Sequence, residues 1–195
     1  MIQRIKLSCQ HNNGYDSAKS ELKQKKENQT LCAVKSLYVS GEKSGFFPEN
    51  LKKGDNGQPL PSKGVFWSIS HKDEYAAGLV SKSPAGIDLE KLKNIALPLF
   101  KKIVSPHEKQ CFNKERDNII FFKCFTAKEA VLKAVGVGLT GLSDIVVTKA
   151  DDSFNTWLSY KNIEYKVEHF FFDKYIASVV KNDLDYHYEI EWCID

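Results

Sequence analysis

Residues 73–80 read DEYAAGLV and residues 173–180 read DKYIASVV, so Asp, Tyr, Ala and Val recur at an offset of one hundred positions in a chain of 195. Two architectures accommodate such a repeat. Either two unrelated edge turns share a local solution, or the chain is built from two similar α/β halves related by a pseudo-two-fold axis. The second reading divides the chain into an N-terminal half, residues 1–90, and a C-terminal half, residues 91–195, with a ligand site in the cleft between them. A chain of this length can bury a sizeable core as one domain or two small ones.

The periodicities agree with an α+β chain. A short strand is expected over residues 1–8 and one helix or two over 17–40, where Ser17 can act as cap. Residues 41–64 are rich in Gly and Pro and read as loop. Strands are expected at 65–70, 74–81 and 86–89, followed by helices over 97–104 and 106–113, the latter opened by Ser105-Pro106. Residues 118–135 read as the longest helix, closed by Gly136. From residue 145 the pattern is of strands: 145–149, 157–160, 165–171, 175–180 and 188–192. Runs of strands after runs of helices make this an α+β chain rather than an alternating α/β one.

Charge adds one constraint. The net charge is +3, but residues 1–60 carry ten Lys or Arg against six Asp or Glu, and residues 61–195 carry eighteen against nineteen. The positive excess lies in the first third and points to an anionic ligand met there, although +4 is too little for a general nucleic-acid binder. Five cysteines with no CxxC or CxH spacing argue against a disulfide framework or a structural zinc site and for free thiols. With no apolar run of signal-peptide or membrane-spanning length, a cytoplasmic protein is expected, with no nucleic-acid and no membrane partner.

Three blocks carry chemistry. In Gly86-Ile87-Asp88-Leu89-Glu90, an extended backbone puts Asp88 and Glu90 on one face and Ile87 and Leu89 on the other. Two carboxylates side by side repel unless a cation lies between them, and a hard oxygen-liganded ion such as Mg²⁺ fits. The bland reading is a solvent-facing edge strand. In Phe125-Thr126-Ala127-Lys128-Glu129-Ala130-Val131-Leu132-Lys133, Glu129 and Lys133 share a helix face at i, i+4; they are either a surface ion pair or a third carboxylate for the metal with a cation for a phosphate. In Ser68-Ile69-Ser70-His71, the serines share one strand face and His71, with Trp67 and Ile69, the other; a histidine at a strand end can bind phosphate or simply be structural.

In combination and order, these blocks resemble the 4′-phosphopantetheinyl transferase superfamily. Its Gly-x-Asp-x-Glu strand corresponds to Gly86–Glu90, its aromatic-x-x-Lys-Glu-Ala-x-x-Lys helix followed by Gly-x-Gly-Leu to Phe125–Leu139, and its serine-histidine block to Ser68–His71. Two similar halves in one chain resemble the monomeric, surfactin-synthetase-activating type. The resemblance implies transfer of the 4′-phosphopantetheine arm from coenzyme A to a serine of an acyl or peptidyl carrier protein, dependent on Mg²⁺, with release of adenosine 3′,5′-bisphosphate. It implies Asp88, Glu90 and Glu129 as metal ligands, Glu129 and Lys133 as catalytic groups, and Ser70, His71, Asp88, Lys133 and Gln58 in contact with coenzyme A. The family's upstream Gly-Lys/Arg-Pro element stands here as Gly57-Gln58-Pro59, without its cation; Lys52, Lys53, Lys63 or a lysine of the 19–35 segment is left to meet the 3′-phosphate. Two other functions use the same residues: a Mg²⁺-dependent phosphotransferase or phosphodiesterase acting without a carrier, and an inactive pseudo-dimer that only binds a carrier protein.

Overall fold

The structure is a computed structural model describing residues 2–4, 15–113, 115–151, 154–181 and 192–193. The first element after strand β1 (Ile2–Arg4) is an unbroken helix, α1 (Tyr15–Ser44). With 30 residues it, and not the 19-residue α4 (Asp117–Val135), is the longest helix. It runs through Gly41 into the stretch expected to be loop, because Ala33 and Leu37 pin its middle against a sheet. Between the two lie strands β2 (Phe66–Lys72), β3 (Tyr75–Ser81) and β4 (Ile87–Lys91), then helices α2 (Leu97–Ile103) and α3 (Pro106–Gln110). After α4 come a 3₁₀ turn at Leu139–Asp144, which no pattern in the sequence announced, and strands β5 (Val146–Ala150), β6 (Asn155–Tyr160), β7 (Ile163–Phe172), β8 (Tyr175–Val180) and β9 (Trp192–Cys193). The strand expected over 188–192 lies, apart from Trp192, outside the described residues. No helix among the described residues is long and apolar enough to cross a membrane.

The strands form two sheets, one ordered β2-β3-β1-β9 and the other β4-β8-β7-β6-β5. The repeated octapeptides fall on the hairpins β2–β3 and β7–β8, and the repeated residues have matching duties. Asp73 (φ 47°) and Asp173 (φ 39°) both turn the chain in the left-handed region that Asp tolerates better than most residues. Gly78 and Ser178, which differ but hold equivalent positions in the two octapeptides, each face a helix. A Cβ on Gly78 would lie 2.5 Å from the Leu37 backbone nitrogen of α1, while Ser178 Oγ is 2.5 Å from Thr126 Oγ1 of α4. Each sheet thus has its own helix laid across the strand that carries the repeat.

Two apolar clusters matter for the site. One surrounds α4, where Phe121, Phe122, Val131 and Leu132 meet Val147, Leu158, Val167 and Ile176. The other joins the sheets: Tyr75, Ala77 and Leu79 of β3 pack with Ile87 and Leu89 of β4 and with Tyr175, Ala177 and Val179 of β8. Buried polar groups lock the elements further. The Lys128 ammonium, inside α4's packed face, bonds to Glu108 at 2.8 Å and the Ile103 carbonyl at 2.9 Å. Glu108 in turn accepts from the backbone of Val147 and Ser105. It completes a capping box with Ser105 at the start of α3. His169, fully buried, is hydrogen bonded at both ring nitrogens, to Thr156 and Ser178 at 2.8 Å. Burial holds it neutral, with its pKa lowered to about 3.

Candidate active site

Strands β2 and β4 belong to different sheets and share no backbone ladder, yet they lie side by side through their side chains. Residues 68, 70 and 72 point to one face of β2, as period-two alternation requires. Ser68 Oγ accepts from the Ile87 backbone N–H at 3.1 Å, Ser70 Oγ donates to Asp88 Oδ1 at 3.0 Å, and Lys72 Nζ reaches both oxygens of Glu90 at 2.8 and 3.1 Å. On β4 the alternation puts Ile87 and Leu89 into the inter-sheet core and leaves Asp88 and Glu90 on the opposite face. Asp88 is only 6% exposed.

Helix α4 crosses directly over this strand. A Cβ on Gly86 would stand 1.8 Å from the Ala130 carbonyl oxygen, so only glycine permits the contact. The last turn of α4 brings Lys133 to β4, its ammonium 2.7 Å from Asp88 Oδ1 and 2.9 Å from the Ile87 carbonyl. Lys133 therefore bonds across to the strand and forms no salt bridge with Glu129. Gly136, left-handed at φ 73°, ends the helix just beyond.

Glu129 lies one turn before Lys133 and opens with it into a cleft of about 260 Å³, whose other wall is the loop carrying Lys53 and Gln58. Its carboxylate makes no hydrogen bond or salt bridge with another described residue. Burial raises its pKa to about 7; the facing charge of Asp88 and, more weakly, Glu90 adds to this, against Lys133. Burial also raises Glu90. The three carboxylates thus feel one another. Among the described residues, however, no three His, Cys, Asp or Glu side chains converge as a ready metal cluster, and lysines sit on two of these three. An oxygen-liganded cation nevertheless suits the donors: Asp88 Oδ2 is buried without any hydrogen-bond partner, and the Glu129 carboxylate is uncommitted.

The loop wall is a small hairpin. Gly54 N–H bonds to the Gln58 carbonyl and Leu60 N–H to the Lys52 carbonyl, both at 2.9 Å, while Trp67 Nε1 of β2 anchors it through the Leu60 carbonyl. Gln58 lines the cleft, but its side-chain oxygen is occupied by the Asn56 backbone N–H at 3.0 Å. Of the lysines that the sequence left open, Lys53 is the one that lines this cleft. Lys63 pairs with Glu49 instead. His71, half-buried on the other face of β2, has its pKa lowered first by burial and then by Lys133, Lys53 and Lys72. Three lysines thus bear on this one imidazole. Ser70 gives its hydroxyl proton to Asp88.

Residues 84–180, which contain β4, α4 and the second sheet, match the family described as the 4′-phosphopantetheinyl transferase superfamily. The chain belongs to that superfamily. It is 29% identical over 96 residues to the 4′-phosphopantetheinyl transferase gsp of Aneurinibacillus migulanus, over 47% of this chain and 40% of the relative. It is 32% identical over 105 residues to the 4′-phosphopantetheinyl transferase psf-1 of Bacillus pumilus, over 50% of this chain and 44% of the relative. With enterobactin synthase component D of Salmonella typhimurium it shares 35% identity over 101 residues, 49% of this chain and 43% of the relative. The chain thus spans less than half the length of each of these superfamily relatives.

Proposed function

We propose that this chain transfers the 4′-phosphopantetheine arm of coenzyme A to the serine of an acyl or peptidyl carrier protein, with Mg²⁺ bound, releasing adenosine 3′,5′-bisphosphate. The observation that carries the reading is the cleft where Glu129 and Lys133, the latter bonded to Asp88 behind it, face the loop that carries Lys53, in a chain of this superfamily. The division into residues 1–90 and 91–195 puts this cleft between two halves, and the chain acts as a monomer because it carries both.

In this reading Asp88, Glu90 and Glu129 hold Mg²⁺, which when bound neutralises the concentrated charge of the pyrophosphate. Ser70 and Lys133 fix the Asp88 carboxylate through one oxygen, leaving the other for the ligand. Lys133 also offers its charge to the phosphoryl group being transferred. Glu129 takes the proton of the carrier serine hydroxyl as it attacks. Held neutral near pH 7, His71 is a hydrogen-bonding partner for a coenzyme A phosphate. Lys53 supplies the cation for the 3′-phosphate that Gln58 cannot, and the Gln58 amide completes the wall. Incubation with coenzyme A, Mg²⁺ and a panel of apo carrier proteins, followed by intact-mass measurement, tests the reading. A carrier gaining one phosphopantetheine arm supports it. Nucleotide hydrolysis with no carrier gaining mass overturns it.

A further inference from the structure

The pairing of β2 with β4 through side chains has three rungs, and the third differs in kind from the others. Ser68 and Ser70 contribute neutral hydroxyls. Lys72 contributes an ammonium that engages both oxygens of Glu90, at 2.8 and 3.1 Å. The Glu90 side chain is 17% exposed and that of Lys72 36%, so the lysine is the solvent-side member and covers the carboxylate. Asp88 and Glu129 are differently placed. Asp88 keeps Oδ2 free of any partner, and no described residue bonds to the Glu129 carboxylate. Of the three carboxylates, Glu90 alone has neither oxygen available.

We propose that Lys72 is a resident counter-ion for Glu90, which a divalent cation must displace before it can use that carboxylate. Asp88 and Glu129 then make the first contacts with the ion, and Glu90 joins them only when the ammonium leaves. Two cations on one carboxylate repel, so the ion pair is a standing competitor that sets metal affinity lower than the carboxylates alone would give. Sequence position explains why the device fits here. Lys72 is the last residue of β2, beside the Asp73 turn, where a long side chain can swing into solvent without disturbing the ladder behind it. The inference rests on the reading of Asp88, Glu90 and Glu129 as metal ligands.

The test is calorimetric titration with Mg²⁺ alone, without coenzyme A or carrier. Lys72→Met should bind Mg²⁺ about fivefold tighter than the unchanged protein, the scale of one partly exposed ion pair. Lys72→Arg, which keeps the charge, should stay within about twofold. Lys72→Gln, neutral but still polar, repeats the test if the methionine variant does not fold, and the Mg²⁺-dependent rise in melting temperature gives a second reading. The gain must also vanish in a Glu90→Gln background. Affinity unchanged or weakened in Lys72→Met and Lys72→Gln overturns the proposal, as does a gain that persists without Glu90, or no Mg²⁺ binding by any form. Carrier loading by the unchanged protein is scored separately: its failure with the Lys72 effect intact rejects the transferase reading alone.

Discussion

Tyr75 and Tyr175, one hundred positions apart, meet edge to face with ring centroids 4.7 Å apart, and the Tyr75 hydroxyl donates to Asp173 Oδ2 at 2.5 Å. The two repeats of the sequence therefore touch where the two sheets join, above the strand that carries Asp88 and Glu90. Removing only the hydroxyl, in Tyr75→Phe, should cost about 1–3 kcal/mol, the range for a hydrogen bond to a charged group. Tyr75→Ala should cost about 3–5 kcal/mol through the lost ring. Urea unfolding followed by tryptophan fluorescence measures both; equal stability of Tyr75→Phe and the unchanged protein would remove the hydrogen bond from the account.

Lys128 precedes Glu129 but serves the fold. Its ammonium and the Glu108 carboxylate are both nearly inaccessible. Lys128→Met strands a buried carboxylate and should destabilise by about 3–5 kcal/mol, whereas Lys128→Met with Glu108→Gln should recover a large part of the loss. The comparison of single and double variants by thermal unfolding decides it. A single variant within 1 kcal/mol of the unchanged protein, on the order of a surface pair, would contradict a buried role.

Two groups should impose opposite pH trends on the metal-free protein. Glu129, raised to about 7 from an ordinary 4.5, favours its protonated form in the fold. Its cost is absent below pH 4.5, grows as pH rises and is complete above about 7. His169, lowered to about 3 from 6.5, must stay neutral. Its cost is absent above pH 6.5 and grows as pH falls toward 3. Glu129→Gln should therefore flatten the loss of stability between pH 4.5 and 7 and leave the acid limb in place. The same variant should abolish carrier loading. Near-normal turnover would end the role of Glu129 as base.

Lys53 and Lys63 give a paired control. Lys53→Met should weaken coenzyme A binding about tenfold, the loss of one charge-assisted contact, without altering Mg²⁺ affinity. Lys63→Met, whose lysine pairs with Glu49 outside the cleft, should change neither. Equal losses in the two variants would mean a diffuse field rather than a contact.

What could be read from the sequence was local. Alternation correctly separated Ile87 and Leu89 from Asp88 and Glu90, and Ser105-Pro106 marked a real capping box. The repeat marked the two hairpins. Pairings across the chain were not legible. Nothing in the residues of β4 says that its backbone partner is β8, nearly ninety positions later, or that Lys133 answers Asp88 rather than Glu129. That Lys53, rather than Lys52, Lys63 or a lysine of the 19–35 segment, lines the cleft depends on the hairpin that turns it inward. The signal for Lys72 was present, as a long cation two residues after Ser70 on a strand face already assigned to the serines, but its significance depends on Glu90 lying opposite.

Gly86 fixes one dimension of the site. With the Ala130 carbonyl oxygen 1.8 Å from where its Cβ would be, strand and helix are in main-chain contact, and the gap between Asp88 and Glu129 is gauged by peptide atoms instead of side chains. Neighbouring side chains can be repacked without changing that gauge. A methyl group added at position 86 would act as a shim, forcing the strand that carries Asp88 and the helix that carries Glu129 apart.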